Sequence, residues 1–353
     1  MIKMQGTIDK KDRWGIYVER RTVISLIAIG AIAAAVLLAG CVEEKKTLNL
    51  GYQPSTHQLA AMVAAEKGWW EEDLAKFGID EVELFLFPSG PPEMTAMLAG
   101  DLDVAYVGTA PPISALYEGL DAKIIAGVQT QGSAIVIRPE LVEDYERDGV
   151  LSLKGKTIAT YPPGSIQHTL LSKWLSDNGI DPETDVDIKA MTPSDAASAI
   201  GAKRVDVVFV PSPHPAIIEV EGTGTIVKWS GEMWPNHACC CLVASGEMIR
   251  EHPEIVTQII QTHINATKYI NEHPDESAEI FAKWQGADAA TIKHSMEITD
   301  LQWIADPHLE VESSLEYAEV IYGINRERYE AKGIEPLGEA DIFDTSFYDA
   351  LTG

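Results

Sequence analysis

Short runs of β-branched and aliphatic residues alternate along this chain with stretches whose apolar positions recur every three or four residues. The runs lie at 48–51, 85–87, 103–107, 157–160, 186–190 and 205–210, and each predicts a strand. Between them, Leu59, Met62 and Val63 mark a helix from about 58 to 70. Met94, Met97 and Leu98 mark a second, and Leu170, Leu171, Trp174 and Leu175 a third. Strands alternating with helices predict parallel sheets. The order strand, polar loop, helix, strand, polar loop, helix, strand, polar loop occurs twice, from Leu48 and again from Thr157.

The first copy contains the stretch 87–112, FPSGPPEMTAMLAGDLDVAYVGTAPP. Two helix starts in it are built alike. One is Ser89-Gly90-Pro91-Pro92, with Gly90 as the expected N-cap; the other is Gly108-Thr109-Ala110-Pro111-Pro112. Helix starts that follow parallel strands aim free N–H groups and partial positive charge at one crevice beyond the strand ends. That crevice suits a small anion or a polar ligand. Two lobes with three such loops each predict a clamp.

The intervening chain fits this plan. Strand-like runs at 123–128 and 134–137 flank the polar residues 129–133, a first crossing between lobes. A second, 239–244, follows Trp234-Pro235-Asn236-His237 and returns the chain. From Pro253 the pattern is helical, with Ile255, Ile259, Ile260 and His263 on one face. The expected division is lobe one at 48–130 and 247–353, and lobe two at 131–246.

The N-terminus changes the setting. Arg13, Arg20 and Arg21 precede an uncharged run, 22–40, that ends in Leu38-Ala39-Gly40-Cys41. This reads as a signal segment over 1–41 with a lipobox, Cys41 being lipidated and 42–47 serving as a tether. A retained transmembrane anchor is the alternative reading. Both place the remainder outside the cytoplasm; the first anchors it to the outer face of the cytoplasmic membrane. Residues 42–353 hold 21 basic and 51 acidic side chains. So acidic a surface argues against nucleic acid as a partner. It also requires that any anion be held by a local site.

The candidate site is therefore drawn from the loops. Lobe one supplies Gln53, Ser55, Thr56, His57, Ser89, Gly90, Gly108 and Thr109, and the first crossing Ser133. Lobe two supplies Ser165, Gln167, His168, Ser212 and His214, and the second crossing His237. Their hydroxyls, amides and backbone N–H groups hold an oxyanion without ionic charge. No Lys or Arg lies in these loops. Trp234 fits either stacking on a ligand or core packing.

SGPPEMTAMLAGDLDVAYVGTAPP, LKGKTIATYPPGSIQHTLLSKWL and HPEIVTQIIQTHINAT resemble the substrate-binding proteins of nitrate, taurine and alkanesulfonate ABC importers. The resemblance covers nearly all of 48–300. It implies an α/β, type II periplasmic-binding-protein fold, two doubly wound lobes joined by a two-crossing hinge. It implies a monomer that captures a small anion and delivers it to an ABC permease and its ATPase subunit. An organic sulfonate is the leading ligand; nitrate and a pyrimidine precursor are alternatives.

Cys239-Cys240-Cys241 after His237 raises the question of a metal. His237, Cys239 and Cys241 would share a strand face. Residues two apart on a strand are ~6.6 Å apart, however, whereas zinc–sulfur bonds are ~2.3 Å. The expectation is buried small hydrophobes, no metal and no cofactor. A pyrimidine synthase on the same fold also carries a Cys-rich strand, with a Lys for pyridoxal phosphate and a His in the third loop. Here the third loop, 107–112, has neither, so no enzymatic activity is expected.

Overall fold

The computed structural model describes residues 45–353. The expected leader, Cys41 and the first residues of the tether lie outside the described residues. Among the described residues no helix is long and apolar enough to cross a membrane.

The strands, in chain order, are β1 (Thr47–Tyr52), β2 (Glu81–Leu86), β3 (Val104–Gly108), β4 (Ala122–Thr130), β5 (Ser133–Ile137), β6 (Thr157–Thr160), β7 (Asp187–Ala190), β8 (Val207–Pro211), β9 (Thr225–Trp229), β10 (Ala238–Ser245) and β11 (Gln302–Trp303). They form two mixed sheets, ordered β11-β4-β10-β3-β1-β2 and β7-β6-β8-β5-β9. The helices that bear on the site are α1 (Leu59–Glu66), α2 (Gly90–Ala99), α3 (Ala110–Tyr117), α4 (Ile166–Asp177) and α5 (Pro253–Glu272).

The repeated sequence pattern is a repeated structure. β1 pairs in parallel with β2 and β3, and β6 pairs in parallel with β7 and β8. One local device recurs. The Oδ2 of Asp103 accepts the Asn49 N–H at 2.8 Å, and the Oδ2 of Asp206 accepts the Thr157 N–H at 2.9 Å. Each carboxylate, at the entry to the third strand of its copy, satisfies a backbone donor on the first strand. Each also meets a cation, Lys45 at 2.8 Å and Arg138 at 2.5 Å.

Each sheet takes one antiparallel strand after a crossing. β5 pairs with β8 and β9 in the second sheet. β10 fills the gap between β3 and β4 in the first. The latter moves the expected lobe boundary. A division at 246 puts residues 238–245 in lobe two, yet they form a central strand of the first sheet, because the run 238–244 is buried throughout and needs neighbours on both edges. Asp300 ties the first crossing to the short helix Ser230–Met233 that precedes the second: its Oδ1 accepts the Gly132 N–H at 2.8 Å and its Oδ2 the Gly231 N–H at 2.7 Å.

The first core is continuous and draws on distant parts of the chain. Leu48, Leu50, Met62, Trp70, Val104 and Tyr106 pack with Ile255, Ile259 and Ile260 of α5, and with Ile342 and Phe343 near the C-terminus. The expected helix over 58–70 is divided, α1 ending at Glu66 and a short helix Trp69–Leu74 following Gly68. The division lets Trp70 turn into the core, where its indole N–H donates to the Ala61 carbonyl at 3.1 Å.

Candidate ligand-binding cleft

Between the two sheets, beyond the carboxyl ends of β1, β3, β6 and β8, lies a cavity. Its space open to the centre of a water molecule is about 20 Å³, room for about one water. The first-lobe wall is Gln53, Ser55, His57, Gln58, Gly90, Gly108, Pro111 and Cys240. The second-lobe wall is Tyr161, Ser165, Ile166, Gln167 and Pro211. Neither wall contains a Lys or Arg.

The first wall is set by local bonds. Ser55 is the N-cap of the turn Thr56–Gln58 and its Oγ accepts the His57 N–H at 3.0 Å. The Gln53 N–H donates to Gln58 Oε1 at 2.5 Å, and Gln53 Nε2 donates to Glu93 Oε2 at 2.8 Å. Glu93 is fully buried beneath this wall, and its Oε1 has no partner. Burial holds its carboxyl well above the usual range, against the opposing pull of the Gln53 amide. His57 Nε2 lies 2.9 Å from the Gly132 carbonyl oxygen. A carbonyl only accepts, so this nitrogen carries a proton, and in the neutral ring Nδ1 is the acceptor. Gly132, at φ 84°, holds a left-handed conformation where a Cβ would lie 2.8 Å from His57 Nε2.

The second wall is an array of neutral donors. Ser165 caps α4, its Oγ accepting the His168 N–H at 3.2 Å. Gln167 Nε2 donates to Ser133 Oγ at 3.2 Å, linking α4 to the first crossing. In the first wall, α2 and α3 approach closely at a glycine. A Cβ on Gly90 would sit 2.4 Å from Pro111 Cγ, so only glycine lets the two helices start side by side.

The structure thus brings together Gln53, Ser55, His57, Gly90, Gly108, Ser165 and Gln167. The other expected site residues line no part of the cavity. Thr56 and Ser89 are buried beside it. The Thr109 N–H, expected to be a free donor, is bonded to the Cys239 carbonyl at 2.9 Å. Ser133 stands behind Gln167. His168 is half-buried on α4, and that burial pushes its imidazole down. Ser212 Oγ donates to Thr299 Oγ1 at 3.1 Å, and His214 faces Ser194 at 3.2 Å. His237 contacts the carbonyl of its neighbour Ala238 at 2.9 Å and the Tyr317 hydroxyl at 3.2 Å; burial pushes it down to about 4.

The helix starts also differ from expectation. Ser89, not Gly90, is the N-cap of α2. Pro91 and Pro92, and Pro111 and Pro112, remove two of the first N–H groups of α2 and α3.

The NMT1-like family model matches residues 42–286. The chain belongs to the NMT1-like family. A relative from Bacillus subtilis (strain 168), named as aliphatic sulfonates-binding, is 29% identical over 281 residues, covering 76% of this chain and 81% of its own. The bicarbonate transport ATP-binding protein CmpC of Synechocystis is 28% identical over 258 residues; the match takes in 69% of this chain and only 38% of that one. Two solved structures share the fold. The alkanesulfonate-binding protein SsuA of Xanthomonas axonopodis pv. citri, bound to MOPS, has a TM-score of 0.68 at 20% identity, covering 80% of this chain and 94% of its own. The periplasmic nitrate-binding protein NrtA of Synechocystis PCC 6803 has a TM-score of 0.72 at 15% identity, covering 87% and 88%. The two lobes are therefore those of a type II periplasmic-binding protein, and such relatives are transport components.

In this NMT1-like chain, sequence reasoning missed Gln58, Pro111, Tyr161, Ile166, Pro211 and Cys240 as lining residues. Tyr161 and Pro211 lie inside loops that the strand order picks out. Gln58 reads as the start of a helix and Cys240 as packing. The expected face of His237, Cys239 and Cys241 does not form: His237 turns to Tyr317, and Cys241 Sγ faces the Val107 carbonyl at 3.7 Å.

Proposed function

We propose that the chain is the exported solute-binding subunit of an ABC importer. It closes on a small oxyanion, in first place an organic sulfonate, and delivers it to a permease coupled to an ATPase subunit. It works as a non-catalytic monomer, held at the outer face of the cytoplasmic membrane by lipid on Cys41. The observation that carries the reading is one cavity at the strand ends, walled by loops from both lobes and furnished with uncharged donors. Oriented amides and hydroxyls bind an oxyanion without a buried counter-charge. The sulfonate preference follows the names of the Bacillus relative and of the Xanthomonas structure. Nitrate is the second reading, favoured by the small size of the cavity.

A thermal-shift panel of sulfonates, nitrate, bicarbonate, carboxylates and pyrimidines on the purified full-length chain tests this. A true ligand at 100 times its dissociation constant adds about 2.7 kcal/mol of stability. No shift with any anion would contradict the reading. Cys41→Ser is expected to leave the protein unprocessed or released; normal processing and membrane retention would exclude the lipid anchor.

A further inference from the structure

The three consecutive cysteines are not equivalent. Consecutive residues of a regular strand point to opposite faces. Here the pairing of β10 with β4 shifts register between Ala238 and Cys240 and again between Cys240 and Cys241. Such a bulge re-aims side chains. As a result the sulfurs of both Cys239 and Cys240 turn toward His57, and the three donor atoms lie within 4.8 Å of one another. His57 Nδ1 is 3.4 Å from Cys239 Sγ. In a tetrahedral zinc site, donors ~2.1 to 2.3 Å from the metal are ~3.5 to 3.8 Å apart.

We propose that His57, Cys239 and Cys240 bind one soft or borderline metal ion, zinc(II) or copper(I), at the floor of the cleft. The surroundings are those a metal-bound imidazole needs. His57 gives its Nε2 proton to the Gly132 carbonyl at 2.9 Å, which fixes the tautomer with the Nδ1 lone pair toward the sulfurs. Gln58 Nε2 approaches Cys240 Sγ at 3.9 Å and Gln167 Nε2 approaches Cys239 Sγ at 4.0 Å. Both amides donate toward sulfur and stabilise thiolate. All three ligands are buried, and sulfur with imidazole selects zinc or copper(I) over magnesium or calcium. Since His57 and Cys240 also line the cavity, a tetrahedral ion keeps one position open to it. The cysteines bind as thiolates, so thiol protons are displaced to solvent on binding. The site does not depend on the sulfonate reading.

The test uses the purified full-length chain, reduced and freed of metal by chelator. It is titrated with zinc(II) and copper(I) against chromophoric competitors, and with cobalt(II) as a spectroscopic probe. The expected result is one ion per chain, proton release on binding, and a thiolate-to-cobalt charge-transfer band. His57→Ala and Cys240→Ala are each expected to weaken binding at least about 100-fold, since even outer partners of metal ligands cost 10- to 100-fold. Cys241→Ala, whose sulfur faces Val107, is expected to retain it. Absence of the charge-transfer band in the unaltered chain would overturn the proposal whatever the variants do. So would full affinity in a Cys239→Ala, Cys240→Ala double variant. Anion binding is measured separately on the metal-free chain, so that failure of one reading is distinguishable from failure of the other.

Discussion

The two lobes are one topology used twice with different chemistry. Strand orders β2-β1-β3 and β7-β6-β8 match, and so do the carboxylates Asp103 and Asp206 that fasten the first strand to the third. At the cleft the likeness ends. Lobe one brings His57, Cys240 and, beneath them, Glu93. Both lobes start their later helices on prolines, Pro91 and Pro111 in lobe one and Pro193 and Pro215 in lobe two. Lobe two brings Ser165, Gln167 and the uninterrupted start of α4. Topology explains where a cleft forms; side chains decide what each wall contributes. One wall holds an imidazole and a thiol above a buried carboxyl, the other uncharged polar side chains.

The cores differ as well. Lobe one has a single continuous core that includes α5 and residues close to the C-terminus. Lobe two has two smaller cores, one on each face of its sheet. Deleting the chain from Pro253 would therefore expose the first sheet and abolish folding of lobe one. Circular dichroism melts of the truncated chain are expected to show no cooperative transition for it; a truncated chain that still melts cooperatively and binds ligand would break the comparison.

Acid should act next, and in both lobes, since burial pushes His214 of lobe two down to about 4 as well. His263 is fully buried in lobe one, its Nε2 donating to the Gly127 carbonyl at 2.7 Å and its Nδ1 facing the Tyr106 hydroxyl at 3.1 Å. Burial pushes its imidazole down to about 4. The unfolded chain protonates first as pH falls, so the stability held above the ordinary value near 6.5 is lost between there and about 4. The loss is on the order of 3 kcal/mol, at ~1.4 kcal/mol for each tenfold drop in proton affinity. Urea midpoints of the parent and of His263→Gln between pH 4 and pH 7 check this. The variant is expected to be less stable at pH 7 yet less sensitive to acid. His168 in lobe two is only half-buried, and His168→Gln is expected to change the acid profile much less.

A smaller, symmetric effect sharpens the likeness. Asp103→Ala and Asp206→Ala each leave one strand N–H without its carboxylate, at a cost of about 1 to 3 kcal/mol. Chemical denaturation is expected to give similar losses for both. A clear inequality would show that the two clasps carry unequal load.

Much of this was legible in the residues. The repeat of apolar runs and helical stretches places nearly every strand, because a buried parallel strand needs a continuous apolar run and a covering helix needs its stripe. The loops at the strand ends follow from that order, and with them Gln53, Ser55, His57, Ser165 and Gln167. What was not legible depended on register. Cys239 and Cys240 share a side only because β10 bulges against β4, and strict alternation places them apart. Thr109 is lost as a donor because β10 returns beside β3, a pairing of residues far apart in the chain. His214, which opens a helix, and His237, in a loop, lie at the right edge, but local bonds to Ser194 and Tyr317 turn them away.

The central claim is that the cavity between the lobes holds its ligand through neutral donors, with lobe two supplying a large share. Titration calorimetry of the most stabilising anion against the parent and Ser165→Ala tests it most directly, because the Ser165 hydroxyl accepts the His168 N–H and keeps its own proton for the cavity. A hydrogen bond to a charged group is worth about 1.5 to 3 kcal/mol, so the variant should bind roughly 10- to 100-fold more weakly. Binding by Ser165→Ala equal to that of the parent would contradict the account.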